Sequence, residues 1–63
     1  MAYHKFTIGQ FVELDPMLYR NAPGGPFEIT RRLPVNRGEY EYRIKNESEP
    51  HERIARESEL RAV

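Results

Sequence analysis

Tyr40-Glu41-Tyr42-Arg43-Ile44-Lys45 decides how this chain is read, because apolar or aromatic residues alternate with charged ones from end to end. A period of two is that of an extended strand with one buried face. Tyr40, Tyr42 and Ile44 are therefore expected inward, and Glu41, Arg43 and Lys45 outward. Immediately before it, Pro34-Val35-Asn36-Arg37-Gly38-Glu39 reads as a turn, with Asn36 and Gly38 the residues most tolerant of positive φ. The run ahead of that turn, Phe27-Glu28-Ile29-Thr30-Arg31-Arg32-Leu33, is rich in β-branched and aromatic residues and alternates with Phe27, Ile29 and Leu33 on one face. The two runs together predict a hairpin. Arg31 shares the parity of the inward set, so either a bulge re-aims it or it lies near an open end where its head reaches water.

Further toward the amino terminus, Gly9-Gln10-Phe11-Val12-Glu13-Leu14 predicts a short strand with Val12 and Leu14 on one side and Phe11 and Glu13 on the other. Asp15-Pro16 ends it, since proline fixes φ and biases the residue before it away from the α region. A loop runs from Pro16 to Pro26 and carries Tyr19 and Arg20. Its Ala22-Pro23-Gly24-Gly25-Pro26 segment sustains neither a helix nor a ladder, and its use is read as flexibility. Beyond the polar turn Asn46–Pro50, the preferred reading is a strand over His51–Arg56 with Ile54 inward, one turn of 3₁₀ helix near Ser58 and a last short strand. The alternative is a helix capped by Ser48 with Pro50 in its first turn. It is disfavoured because Ile54 and Leu60, six apart, fall on different helix faces.

Sixty-three residues make a single domain with a small core. Residues 1–5 are expected to be a flexible lead-in. Ten basic residues balance ten acidic ones, which removes the bulk positive charge that accompanies non-specific nucleic-acid binding. Between Arg20 and Lys45, however, six basic residues (Arg20, Arg31, Arg32, Arg37, Arg43 and Lys45) face only Glu28, Glu39 and Glu41. With no cysteine there is neither a disulfide framework nor a thiolate zinc site, which fits a reducing, cytoplasmic location. No run is apolar enough for a bilayer span or a signal peptide.

The Gly-Gln-x-Val opening, the long loop, the paired central strands and the closing Arg-Glu-Ser-Glu-Leu resemble the strand order of SH3-like barrels such as Tudor and KOW-type domains. The fold class expected is thus mainly all-β, a small SH3-like barrel of five short strands. Gly9-Gln10, Ala22–Ile29, Tyr42–Lys45 and His51–Leu60 are also similar to a group of short α-proteobacterial proteins, over nearly the whole chain from Phe6 to Arg61. That resemblance implies a shape and carries over no activity.

Candidate sites are few. His4 and His51 are the only histidines, and His51-Glu52 lacks the second histidine of a zinc-binding helix, so solvated surface histidines and no metal are expected. The Pro-Gly-Gly-Pro loop lacks the Lys-Ser/Thr of a phosphate loop and is followed by a strand. Ser48, Ser58, Thr7 and Thr30 have no base beside them in the sequence pattern, and so small a chain has little room for a pocket that separates the pKa values of two carboxylates. Neither an enzyme nor a cofactor is expected.

Arg32, Arg43 and Lys45 share outward parity on strands that should pair, and with Tyr19 and Arg20 on the loop they form the candidate ligand-binding surface. On the plainer reading, Glu28 and Glu41 sit among them and form cross-strand ion pairs. Tyr40 and Tyr42 are expected in the core, and Tyr3, Phe11 and Tyr19 in an exposed aromatic patch. The function expected is a non-catalytic module that binds a partner protein or its own copy through this aromatic and arginine surface. A small barrel binding RNA or single-stranded DNA through Arg20, Arg32, Arg43 and Lys45 is the alternative, and an accessory subunit of a larger enzyme the third reading.

Overall fold

The computed structural model describes residues 3–63, and within them the chain is mainly β. Five strands, β1 (Phe11–Leu14), β2 (Phe27–Asn36), β3 (Glu39–Lys45), β4 (Glu52–Arg56) and β5 (Leu60–Ala62), form one antiparallel sheet in the order β4-β3-β2-β1-β5. A single 3₁₀ turn at Glu57–Glu59 joins the last two. The carboxy-terminal third is therefore strand, 3₁₀ turn and strand, and the helical alternative does not form. Ser48 caps nothing: its backbone N–H and its hydroxyl both donate to the Asn46 side-chain oxygen.

Side chains that face one another across the ladders build the core. Val12 lies opposite Phe27, Ile29 opposite Ile44, Tyr42 opposite Ala55 and Leu14 opposite Leu60, and all eight are buried. Phe6, from the segment before β1, completes the cluster. The alternation expected over 40–45 holds, with Tyr42 and Ile44 fully buried and Tyr40 packed against the core edge. That over 11–14 holds as well.

Strand β2 departs from simple alternation. Its register against β3 slips between Ile29 and Arg31 and again between Leu33 and Val35, so two bulges interrupt one ten-residue strand. Each extra residue flips the parity of the residues beyond it. Arg31 now lies opposite Arg43 on the outer face, which is the bulge outcome allowed by the sequence. Arg32 lies opposite Tyr42 on the core side, and Leu33 opposite Glu41 on the outer side, both the reverse of the expected placement. Leu33 is half-buried there instead of being a core residue.

The hairpin turn is also tighter than the six residues read as a turn, because β2 continues to Asn36, which pairs with Glu39. Arg37 (φ 54°) and Gly38 (φ 83°) make a two-residue connection with positive φ at both positions, as the right-handed twist of the strands favours.

In β4 the expected inward residue is wrong by one position. Ala55 is buried against Tyr42, and Ile54 lies opposite Arg43 with 56% of its surface exposed. The register that sets Ala55 across from the buried Tyr42 turns its neighbour Ile54 to the outer face. Replacing Ile54 with Thr should therefore shift stability by no more than about 0.5 kcal/mol. Ile44→Ala should cost about 2–5 kcal/mol, since it opens a cavity in the core. Urea unfolding of the two variants measures both, and an equal loss would contradict the register.

Candidate functional site

Leu14 ends β1 where Asp15-Pro16 turns the chain. The Asp15 carboxylate accepts the Met17 N–H (2.9 Å), and its backbone carbonyl accepts those of Leu18 (3.0 Å) and Tyr19 (3.1 Å). This coil aims Tyr19 back at the domain, where its hydroxyl donates to Glu59 Oε1 at 2.7 Å. Met17 and Leu18 are left pointing outward, 76% and 60% exposed.

The Gly24-Gly25 stretch beyond is held from below by Asn46, the one buried polar side chain among the described residues. Its amide donates to the carbonyls of Gly24 (3.3 Å) and Pro26 (3.2 Å), and its oxygen accepts the Ser48 N–H (2.8 Å). A buried amide with all its valences used fixes backbone position, because breaking any one bond leaves an unpaired polar group. The segment read as flexible is thus anchored, with Gly25 at φ 89° where a side chain would be strained.

The glycine stretch forms a ridge with a cleft on either side. One cleft, about 430 Å³, has Leu14, Tyr19 and Phe27 along its walls with Pro16 and Pro23, and carries Arg20, Arg61 and Glu13. The second, about 560 Å³, is bounded by Phe11, Pro26 and Asn46 and carries Glu28, Glu47 and Lys45. Lys45 is not free to meet a ligand, since its ammonium donates to the carbonyls of Asn46 (2.7 Å) and Glu49. The charges left to act in the two clefts have opposite sign, with Arg20 and Arg61 against Glu13 in the first and Glu28 and Glu47 in the second.

The five residues singled out from the sequence are thus divided. Tyr19 and Arg20 share the first cleft, and Lys45 borders the second. Arg43 lies on the outer face, paired with Glu52 (3.5 Å) of the neighbouring strand. That cross-strand pair uses β4, whereas the sequence pointed to Glu28 and Glu41. Arg32 stands apart on the other face of the hairpin, so the bulge breaks the stripe of Arg32, Arg43 and Lys45.

The two histidines differ. His51 is exposed, 3.7 Å from Glu49. His4 is half-buried, against the expectation of a solvated ring: its Nε2 bonds the Leu33 carbonyl (2.7 Å) and its ring stacks on Tyr40 at 3.9 Å. Of the lead-in expected to be flexible, Met1 and Ala2 lie outside the described residues, while Lys5 donates its backbone N–H to Glu57 at 2.8 Å. Asn46 and Arg61 escaped the sequence reading, and His4 reads there only as a solvated ring, because no motif marks them. Their roles come from partners distant in the chain.

Tyr42 and Tyr19 are the strongly perturbed acids. Burial first, then hydrogen bonds to Glu57 and Glu59 respectively, push both hydroxyls up from 10.0 to about 12. Compared with known proteins, the chain matches no family model, no curated sequence and no solved structure.

The raised values set a pH dependence. The unfolded chain loses these protons near pH 10, whereas the folded one keeps them to about 12. Their contribution to stability is complete below pH 10 and is lost as pH rises through that window. A Tyr19→Phe/Tyr42→Phe variant should show a shallower alkaline decline in urea-measured stability; an unchanged slope would refute the assignment.

Proposed function

We propose that this chain is a non-catalytic interaction module on an SH3-like framework, which binds an extended segment of a partner protein across the Gly24-Gly25 ridge. The observation that carries the reading is the pair of adjoining clefts of opposite available charge, with apolar side chains at their margins. Concave, largely apolar sites with a few placed polar groups are the usual form of ligand sites. The sheet order β5-β1-β2-β3-β4, read from the other edge, supports the framework.

A bound strand crossing the ridge would place an acidic side chain beside Arg20 and Arg61, apolar side chains on Tyr19, Leu14 and Phe11, and a basic side chain beside Glu28 and Glu47. Because Asn46 fixes the ridge beforehand, little ordering entropy is lost on binding. Two of the hydroxyls are engaged in structure, Ser48 with Asn46 and Thr30 with the Arg43 carbonyl. A partner protein is the preferred occupant, a second copy of the chain the other. The cytoplasmic setting expected from the absence of cysteine, and the bacterial one implied by the resemblance, belong to the same reading.

Selection from a displayed library of extended peptides should yield sequences with an acidic and a basic position separated by apolar residues. Their titration should shift the backbone amide signals of Arg20, Gly24, Gly25 and Arg61, and Arg61→Glu should weaken them several-fold, chiefly through electrostatic complementarity. Failure to select any peptide that perturbs the ridge, with a monomeric sedimentation profile, would end the reading.

A further inference from the structure

The sheet ends at β4 on one side and β5 on the other. β5 is three residues long, too short to guide another strand, whereas β4 has five, with no proline and no register shift against β3. Which peptide groups of β4 are left over follows from the alternation of ladder bonds. The Ile29 N–H donates to the Gln10 carbonyl, and the Ile29 carbonyl accepts the Gly9 N–H (2.9 and 2.8 Å), so Ile29 turns its peptide groups away from β3. Ile44, opposite it, therefore turns toward β4 and exchanges bonds with Arg53, as Tyr42 does with Ala55. Glu52, Ile54 and Arg56 are left with theirs on the free edge. The Arg56 N–H, which donates to Glu59 at 2.8 Å instead of to β3, agrees with that assignment. Among the described residues no hydrogen bond from outside β3 reaches the N–H or C=O of Glu52 or Ile54.

The side chains on that edge are complementary to themselves. Glu52, Ile54 and Arg56 share the outer face, where Ile54 is 56% exposed. Two β4 strands running antiparallel about Ile54 set Glu52 of each opposite Arg56 of the other, and the two Ile54 side chains meet between them. Opposite charges and apolar pairs across a ladder are favourable, and like charges are not. Ile54 then turns both peptide groups to its own copy, which is the hydrogen-bonded type of antiparallel pair. Glu52 already lies beside Arg43 (3.5 Å) and Arg56 beside Glu39 (3.9 Å), so the pairing extends each into a row of alternating sign. On the core side Arg53 comes opposite Ala55, its charge held by Glu49 at 2.6 and 2.8 Å. Other centres lose this fit. Glu52, Arg53 or Arg56 at the centre opposes like charges, and Ala55 at the centre sets Ile54 against Arg56.

We propose that β4 is a self-association edge, through which two copies of this chain join their sheets antiparallel about Ile54. Edge strands are commonly guarded by lysine, proline or a bulge, and here an isoleucine stands at the centre instead. The contact is isologous, so it closes at two copies. A five-residue strand with one large apolar side chain falls well short of the area of a permanent dimer, which makes the association weak and dependent on concentration. In dilute unfolding experiments the chain is monomeric, and Ile54→Thr there acts on the monomer alone. No residue of β4 borders either cleft, so this edge and the peptide ridge stand or fall separately.

Sedimentation equilibrium over a range of concentrations tests it, with amide hydrogen exchange as the local readout. The chain should pass from monomer to dimer as concentration rises, and the Ile54 amide, open to water in the monomer, should become protected in step. Ile54→Lys should abolish both effects. Glu52→Arg and Arg56→Glu each set like charges opposite one another at both ends of the contact. Each should raise the Kd of the dimer about tenfold, as two reversed cross-strand pairs predict. An equimolar mixture of these two variants pairs opposite charges again and should recover the original affinity as a heterodimer, which a misfolded variant could not do. Arg61→Glu, in the peptide cleft, should leave the Kd within about twofold, since distant sites act independently. A chain that stays monomeric at the highest concentration, or a mixture that recovers nothing, would overturn the inference. So would a dimer that survives Ile54→Lys but is lost in Arg61→Glu, which would place the second copy on the ridge.

Discussion

The side chain of Tyr42 is the interaction on which the rest of this small domain depends. Its ring is fully buried, lying across from Ala55 and edge-on to Phe6 at 5.6 Å. Its hydroxyl accepts the Phe6 N–H (3.2 Å) and donates to Glu57, which in turn accepts the Lys5 N–H. One residue of β3 thereby joins the amino-terminal segment, the centre of the sheet and the 3₁₀ turn. A chain this short cannot bury much apolar surface, so a side chain that contributes both a large ring and a satisfied polar link has unusual weight. The Tyr19 hydroxyl on Glu59 repeats the device for the long loop. Glu59 also accepts the Arg56 N–H at 2.8 Å, so one carboxylate both caps the 3₁₀ turn and ties the long loop to it.

The bulges in β2 are the second constraint, and they determine what the surface can do. A ladder without them would align Arg32, Arg43 and Lys45 along one face. The slip after Ile29 instead opposes Arg31 to Arg43 and turns Arg32 to the side of the aromatic rings. Like charges directly opposite are unfavourable, and the Glu52 carboxylate beside Arg43 offsets that repulsion only in part, as an exposed pair does.

Net neutrality conceals an uneven use of charge. The glutamates are largely engaged inside the molecule: Glu49 on Arg53 at 2.6 and 2.8 Å, Glu39 on the Ser58 N–H and Arg56, Glu57 and Glu59 on tyrosines and backbone. The Arg53 guanidinium holds the Glu49 carboxyl below its ordinary pKa, and the Ser58 hydroxyl, followed by the Ser58 N–H, does the same for Glu39. Arginines at the loop, the hairpin and β5 are left facing solvent. Acidic residues therefore act here mainly as structure, and arginines supply most of what remains for recognition.

The sequence by itself determined the strands at 11–14, 27–29 and 40–45, the 3₁₀ turn near Ser58 and the all-β class, because side-chain alternation reports directly that one face of a strand is buried. Tyr19 and Arg20 were placed on the right loop for the same local reason. Tertiary structure alone decided the exposure of Ile54, the separation of Arg32 from Arg43, the anchoring of Gly24 by Asn46 and the wedging of His4 against Tyr40. Each of these depends on which residue lies across a ladder or under a loop. Register is a non-local property, and a single inserted residue reverses the parity of everything beyond it. Periodicity along one strand carries no record of that choice.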